Sequence, residues 1–442
     1  MKLHFFTVND IEDYRKHYKT ERLIQKIVEE VHPRTIEELD QAYFSRLAKE
    51  PFNVPQSIFE SRIFGDTGFP GMRLDFNLGL RLEIPEGNFH VKISDFDTEK
   101  IFFNENFSGG RLISVEHYFI RWHVEVFLDD EKIFSHILNL EGQPVAIMCK
   151  FEALGDTISF LSYFREFKKI HHCNLSICLP DSFCGLVSKL YPDIPIIDEI
   201  DFKTYATYYL AMLFSHLPLH PVDARQMSML QVGGMLLGIN YIPPKANFKP
   251  TAPPVTDEPY VCIAVQSTAN RKCWLWPGGW DIVVDYLKSL GYRVFCIDKE
   301  EEMTSDGFTI RRPDGAENFT GNRPLLERAN MLSHAEFFIG LGSGLSWLAY
   351  AVDCPVVMIC GFSQDWHEFY TPYRVANRKV CNGCFNDVRV NFLDPKPCPY
   401  HRNTPRELEC QKKISPRMVI NAIERLIVDK KLIPPALRRN LS

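Results

Sequence analysis

The sequence predicts an α/β protein of two Rossmann-like lobes facing a cleft, preceded by a small antiparallel β domain. Three observations predict it. Residues 72–126 alternate apolar and polar with the period of half-buried strands. Strand, turn and helix patterns then recur twice, after Val145 and again after Tyr260. Between the two runs, six prolines fall in the nineteen residues 241–259, a density that forbids helix and marks an extended connector.

Composition bounds the function. A chain of 442 residues exceeds one typical core, and 45% hydrophobic with 24% charged residues is the balance of an ordinary globular protein. A net charge of -6 offers no basic face for nucleic acid. No apolar run reaches eighteen residues, so no membrane span is expected, and the start MKLHFFTVNDIEDYRKHYK lacks a signal-peptide core. The cytoplasm is the expected compartment. Thirteen cysteines cannot all pair, and clustered thiols in a reducing compartment more often bind metal than form disulfides.

Residues 1–59 read as a helical extension, with Leu23, Ile24, Ile27 and Val28 at helical spacing. Residues 60–142 form the β domain: Met72, Leu74, Phe76, Leu78, Leu80, Leu82 and Ile84 alternate, as do Phe89, Val91 and Ile93, and Tyr118 to Val126. In the first lobe, 143–242, the run Val145–Phe151 leads through Gly155-Asp156-Thr157 into a helical pattern. The segments NLSICLP, IPIID and TYATYYLAMLF read as strands, and a helix is expected from about Asp223 to Gly238. The linker is 243–259, the second lobe 260–380, a cysteine finger 381–414, and a C-terminal helix and tail 415–442.

Three constellations sit at predicted strand ends, where α/β sheets bind ligands. After strand Val261–Val265 come Gln266, Ser267, Thr268, Ala269, Asn270, Arg271 and Lys272, whose hydroxyls, amides and ammonium suit a diphosphate. A polar loop with a solvated lysine is the rival. The stretch EFFIGLGSGLSWLAYAVDCPVVMICGF is strand, glycine turn, helix and strand, with Gly342, Ser343, Gly344, Leu345 and Ser346 opening the helix. Helix-opening amides there attract an anion, although a tight turn also needs glycines. This turn is expected two strands from the lysine loop. The third is Asp156 in the other lobe, placed either as a general base or as the cap of its helix.

The cysteine finger carries Cys381-Asn382-Gly383-Cys384, then Cys398 and Cys410, interleaved with prolines. Four thiolates around one metal would organise such a loop; unrelated thiols are the alternative, and zinc and iron both accept the set. His171, His172 and His401 receive no role.

LGDTISFLSYF, AVQSTANRKCWLWPGGW, NRPLLERANMLSHAEFFIGLGSGLSWLAYAVDCPVVMICGF, TPYRV, CNGCFNDVR, CPYHRNTPRELEC and GMRLDFNLGLRLEIPEGNFHVKISD together resemble the bacterial autotransporter heptosyltransferases over about residues 60–425. That family is similar to the lipopolysaccharide heptosyltransferases of the GT-B fold. The resemblance implies a cytoplasmic, inverting transfer of heptose from ADP-heptose to serines of an autotransporter adhesin. It implies Asp156 as base, Thr268 and Lys272 on the diphosphate, and Ser343 to Ser346 at the donor. It further implies a ferric ion on Cys381, Cys384, Cys398 and Cys410, an acceptor-engaging β domain, and a ring-like homo-oligomer as large as a dodecamer. Gly342 and Trp347 stand where the lipopolysaccharide enzymes carry Asp and His. The alternatives are a lipopolysaccharide core enzyme and a non-catalytic sugar-nucleotide or protein-binding scaffold.

Overall fold

The computed structural model describes Phe5–Phe6 and residues 61–114, 119–150, 153–212, 222–305, 308–390 and 398–438. The helical pattern at 23–28, Tyr118, Phe151 and the end of TYATYYLAMLF lie outside these residues.

In chain order the first half holds β1 (Phe5–Phe6), β2 (Arg73–Asn77), β3 (Arg81–Ile84), β4 (Phe89–Asp95), β5 (Ile101–Phe107), β6 (Gly110–Ser114), β7 (Trp122–Leu128) and β8 (Glu131–Ile137). It continues with β9 (Pro144–Met148), α1 (Leu154–His171), β10 (Asn174–Cys178), α2 (Asp181–Leu190), β11 (Ile196–Ile197), β12 (Ala206–Tyr209) and α3 (Met229–Leu237).

The expected β domain is divided between two sheets. β5-β4-β7-β8 is an antiparallel sheet of its own, but β2, β3 and β6 join the first lobe in an eight-stranded sheet ordered β1-β6-β3-β2-β12-β9-β10-β11. β2 is parallel to β12, with Ala206 opposite Phe76. Alternation reports that one face of a strand is buried; it carries no information on which strand lies beside it. β1 pairs with β6, so Phe5–Phe6 is strand within the segment expected to be helical. The helix expected from Asp223 is shorter too. Asp223 closes a single 3₁₀ turn, and α3 starts afresh after Ser228, whose hydroxyl accepts from Leu230 N while Gln231 returns the capping box.

Residues 243–259 are extended, as the prolines require. The second half holds β13 (Tyr260–Ile263), α4 (Gly279–Ser289), β14 (Arg293–Cys296), β15 (Glu302–Ser305), β16 (Phe308–Arg311), β17 (Glu317–Asn318), α5 (Leu325–His334) and β18 (Phe338–Leu341). Then follow α6 (Gly344–Ala351), β19 (Val356–Ile359), β20 (Arg374–Val375), α7 (Glu409–Lys412), α8 (Pro416–Asp429) and α9 (Pro435–Arg438). Its sheet is parallel throughout, ordered β17-β14-β13-β18-β19-β20. Strands buried on both faces, such as VVMI in β19, read as continuous apolar runs for that reason.

One apolar cluster runs through both lobes, joining Phe160, Leu161 and Phe164 of α1 to Phe338, Trp347, Leu348 and Met358. A second fills the far face of the second sheet, under α4 and α8.

Candidate functional site

The lobes meet where two helices begin. A Cβ on Gly155 would lie 2.9 Å from Trp347 Cδ1, and one on Gly344 would lie 2.5 Å from Leu154 Cβ. Only glycine permits this approach. It brings the first turn of α1 against the first turn of α6, and so sets Asp156 beside the Gly342–Ser346 turn.

Asp156 is not the cap of its helix. Ala153 holds that position without a side-chain bond, and Asp156 sits in the first helical turn. Burial raises its carboxyl to about 6, opposed by the charge of Lys272. The two groups are therefore within electrostatic reach across the cleft. A carboxylate raised to that value is ionised at neutral pH yet basic enough to take a proton.

The lysine loop and the glycine turn follow adjacent strands, β13 and β18, rather than strands two apart. In the loop, Thr268 is exposed and Lys272 half-buried, while Ser267 is buried with no partner for its Oγ among the described residues. A buried hydroxyl left without a protein partner is consistent with a ligand's presence. Asp298, beyond β14, clamps the loop's start: its carboxylate accepts from Val265 N at 2.7 Å and Gln266 N at 3.2 Å. In the turn, Ser343, Gly344 and Leu345 are half-buried, but Ser346 is fully buried and donates its hydroxyl to Leu341 O at 2.5 Å. Ser346 thus holds the turn's shape instead of facing the cleft.

Behind the turn lies a buried charge pair. Arg374 Nη1 lies 2.9 Å from Glu368 Oε2, and Ser363 Oγ donates to Glu368 Oε1 at 2.6 Å. Burial works to raise the Glu368 carboxyl, and Arg374, His367 and Ser363 overcome it, leaving it below its ordinary value. A Cβ on Gly342 would stand 3.1 Å from Glu368 Oε1. His367 crosses to the other lobe, its ring Nδ1 3.1 Å from Met227 O. Sequence reasoning missed Glu368, His367, Arg374 and Asp298, because each is distant in the chain from the motif it supports.

The four finger thiols lie within electrostatic reach of one another. Burial lifts the Cys384 thiol well above its ordinary value, and the sulfurs of Cys410, Cys398 and Cys381 lift it further. Cys410 is pushed up to about 12 by burial, then by Cys398 and Cys381. A cation at their centre would reverse that mutual opposition, so the donor set fits a thiolate metal. The tightest group is different, however: ligand atoms of Cys381, His401 and Glu409 all lie within 4.8 Å of one another. His401 therefore has partners, which its place in the sequence did not reveal.

Against known proteins, residues 68–130 match the family model for the glycosyltransferase TibC N-terminal domain, and residues 241–391 that for glycosyltransferase family 9 (heptosyltransferase). The chain is 41% identical to the autotransporter heptosyltransferase BAHTCr of Citrobacter rodentium, covering 80% of this chain and 88% of that one. It is 40% identical to TibC of Escherichia coli O78:H11, over 80% and 89% of the two chains. The inactive autotransporter heptosyltransferase BimC of Burkholderia thailandensis is 33% identical, over 81% and 86%. The crystal structure of the iron-containing dodecameric glycosyltransferase TibC superposes with a TM-score of 0.79 at 37% identity, covering 84% of this chain and 99% of that one. TibC in complex with ADP-D-beta-D-heptose gives 0.77 at 38%, over 81% and 96%. With this identity across four-fifths of its length and the same two-lobed fold, the chain belongs to the autotransporter heptosyltransferases.

Proposed function

We propose that this protein is an inverting GT-B heptosyltransferase that moves heptose from ADP-heptose to serine hydroxyls of an autotransporter adhesin. The observation that carries the reading is the half-buried Asp156, its carboxyl raised to about 6 by burial, facing Lys272 and the glycine turn across the cleft.

Asp156 accepts the proton of the serine hydroxyl as its oxygen bonds to the anomeric carbon. The bond from that carbon to the diphosphate breaks, and ADP departs with the pair of electrons. Ser267, Thr268 and Lys272 receive its negative charge, together with the amides of Ser343, Gly344 and Leu345 opening α6. Attack and departure on opposite faces invert the centre.

Cys381, Cys384, Cys398 and Cys410 hold iron, as TibC contains, or zinc; when bound, the metal cross-links a proline-rich loop. The antiparallel sheet β5-β4-β7-β8 engages the acceptor. Protomers assemble as a homo-oligomer, and among the described residues no helix is long and apolar enough to cross a membrane, in keeping with work in the cytoplasm.

That BimC is an inactive relative supports a second reading, a non-catalytic sugar-nucleotide or protein-binding scaffold. Incubation with ADP-heptose and an autotransporter passenger decides. Mass spectrometry should find heptose on passenger serines; an unmodified passenger favours the binding scaffold, and transfer only to lipopolysaccharide core favours the other enzyme class.

A further inference from the structure

The finger and the lysine loop are joined by one side chain, Gln411. It follows Cys410 directly, opens no path to solvent, and is fully buried. Its Nε2 donates to Arg271 O at 2.8 Å, and its own carbonyl accepts from Leu275 N at 3.4 Å. Three residues further, Ile414 O accepts from Trp274 Nε1 at 2.8 Å. On its other side the finger backbone is pressed against the end of β19: a Cβ on Gly361 would fall 2.4 Å from Cys410 O. Residues 410–414 are thus wedged between the end of β19 and the 266–275 loop, gripping the loop at three points that bracket Lys272.

We propose that Gln411 is a positioning residue that sets the Lys272 loop for a nucleoside diphosphate, transmitting the order of the cysteine finger to the donor site. The proposal rests on the donor reading above. Arg271 O belongs to the peptide that joins Arg271 to Lys272, so a bond to that oxygen fixes the backbone from which the lysine side chain starts. Gln411 reaches the loop through the loop's backbone, at Arg271 O. Its effect passes through the lysine, and an ammonium displaced from its partner by an ångström loses most of a directional charge-assisted bond.

The test is Gln411→Met, which keeps the length and volume of the side chain and removes the donor. Calorimetry should show ADP binding about tenfold weaker, the worth of one hydrogen bond, with metal per chain unchanged. On a Lys272→Ala background the same substitution should cost less than twofold, because the group it positions is gone. Affinity within twofold of wild type overturns the proposal, as does full additivity with Lys272→Ala. Metal lost in step with affinity also overturns it, since Gln411 would then serve the finger alone. If Gln411→Met is insoluble, Gln411→Asn, too short to reach Arg271 O, is read in the same titration. Insolubility of both variants assigns the residue to folding and ends the proposal. A wild-type chain that fails to bind ADP instead sinks the donor reading itself.

Discussion

At Asp156 the same burial that prepares a base also strains the fold. Its folded value, about 6, lies above the ordinary carboxylate value of 3.8, so the folded protein holds the proton more tightly than the unfolded chain. Stability therefore falls as pH rises from about 4 to about 6, and above that the penalty is complete, at most about 3 kcal/mol and less for a carboxyl that is partly exposed. Asp156→Asn removes the charge and keeps the shape. Its Tm at pH 7.5 should equal or exceed that of wild type, while the transfer rate drops ~10²–10⁴-fold for want of a base. Wild-type activity should decline as pH falls through about 6, and the Asn variant should lack that limb. A comparable rate in the variant, measured on an adhesin passenger, would place the base elsewhere.

At the scale of elements, the glycines at the starts of α1 and α6 are spacers between two helices. Gly344→Ala would drive a methyl into Leu154 Cβ, and overpacking of this kind costs about 1–3 kcal/mol. A lower denaturation midpoint and weaker transfer should appear together; an unchanged midpoint would mean that the helices separate freely. Cys381→Ser should lower metal content and soluble yield together, and full metal occupancy would remove Cys381 from the ligand set. The sequence made these turns legible because glycine, whose missing Cβ lets two backbones approach, is written at its own position. It also showed the apolar runs of β13, β18 and β19, which are local. It could not show that β2, β3 and β6 extend the first lobe's sheet, since pairing partners are chosen across the chain. Nor could spacing show that His401 and Glu409 fold onto Cys381, or that Asp156 stands inside its helix with Ala153 before it. The first is a matter of distance in space between groups separated in the chain; the second is local, a helix that begins at Leu154 with no side-chain cap to mark its start.

Across the whole molecule, Arg225 ties the finger to the first lobe. Its guanidinium is buried against Asp223, 2.7 Å away, and donates to Val388 O at 2.9 Å and Val390 O at 2.5 Å. Asn386 Nδ2 returns a bond of 2.6 Å to Arg225 O. Arg225→Ala leaves Asp223 buried without its cation and the finger carbonyls without that donor. The loss should be about 3–5 kcal/mol. Scanning calorimetry should show it as a fall of the entire endotherm, and a low-temperature shoulder with the main peak unmoved would confine the damage to the finger. Because hydrocarbon from α1 is continuous with that from β18, β19 and α6, the two halves share a core across the cleft. Damage on either side of the cleft is then shared by both, and a substitution remote from the chemistry can silence the protein simply by thinning the population of intact molecules.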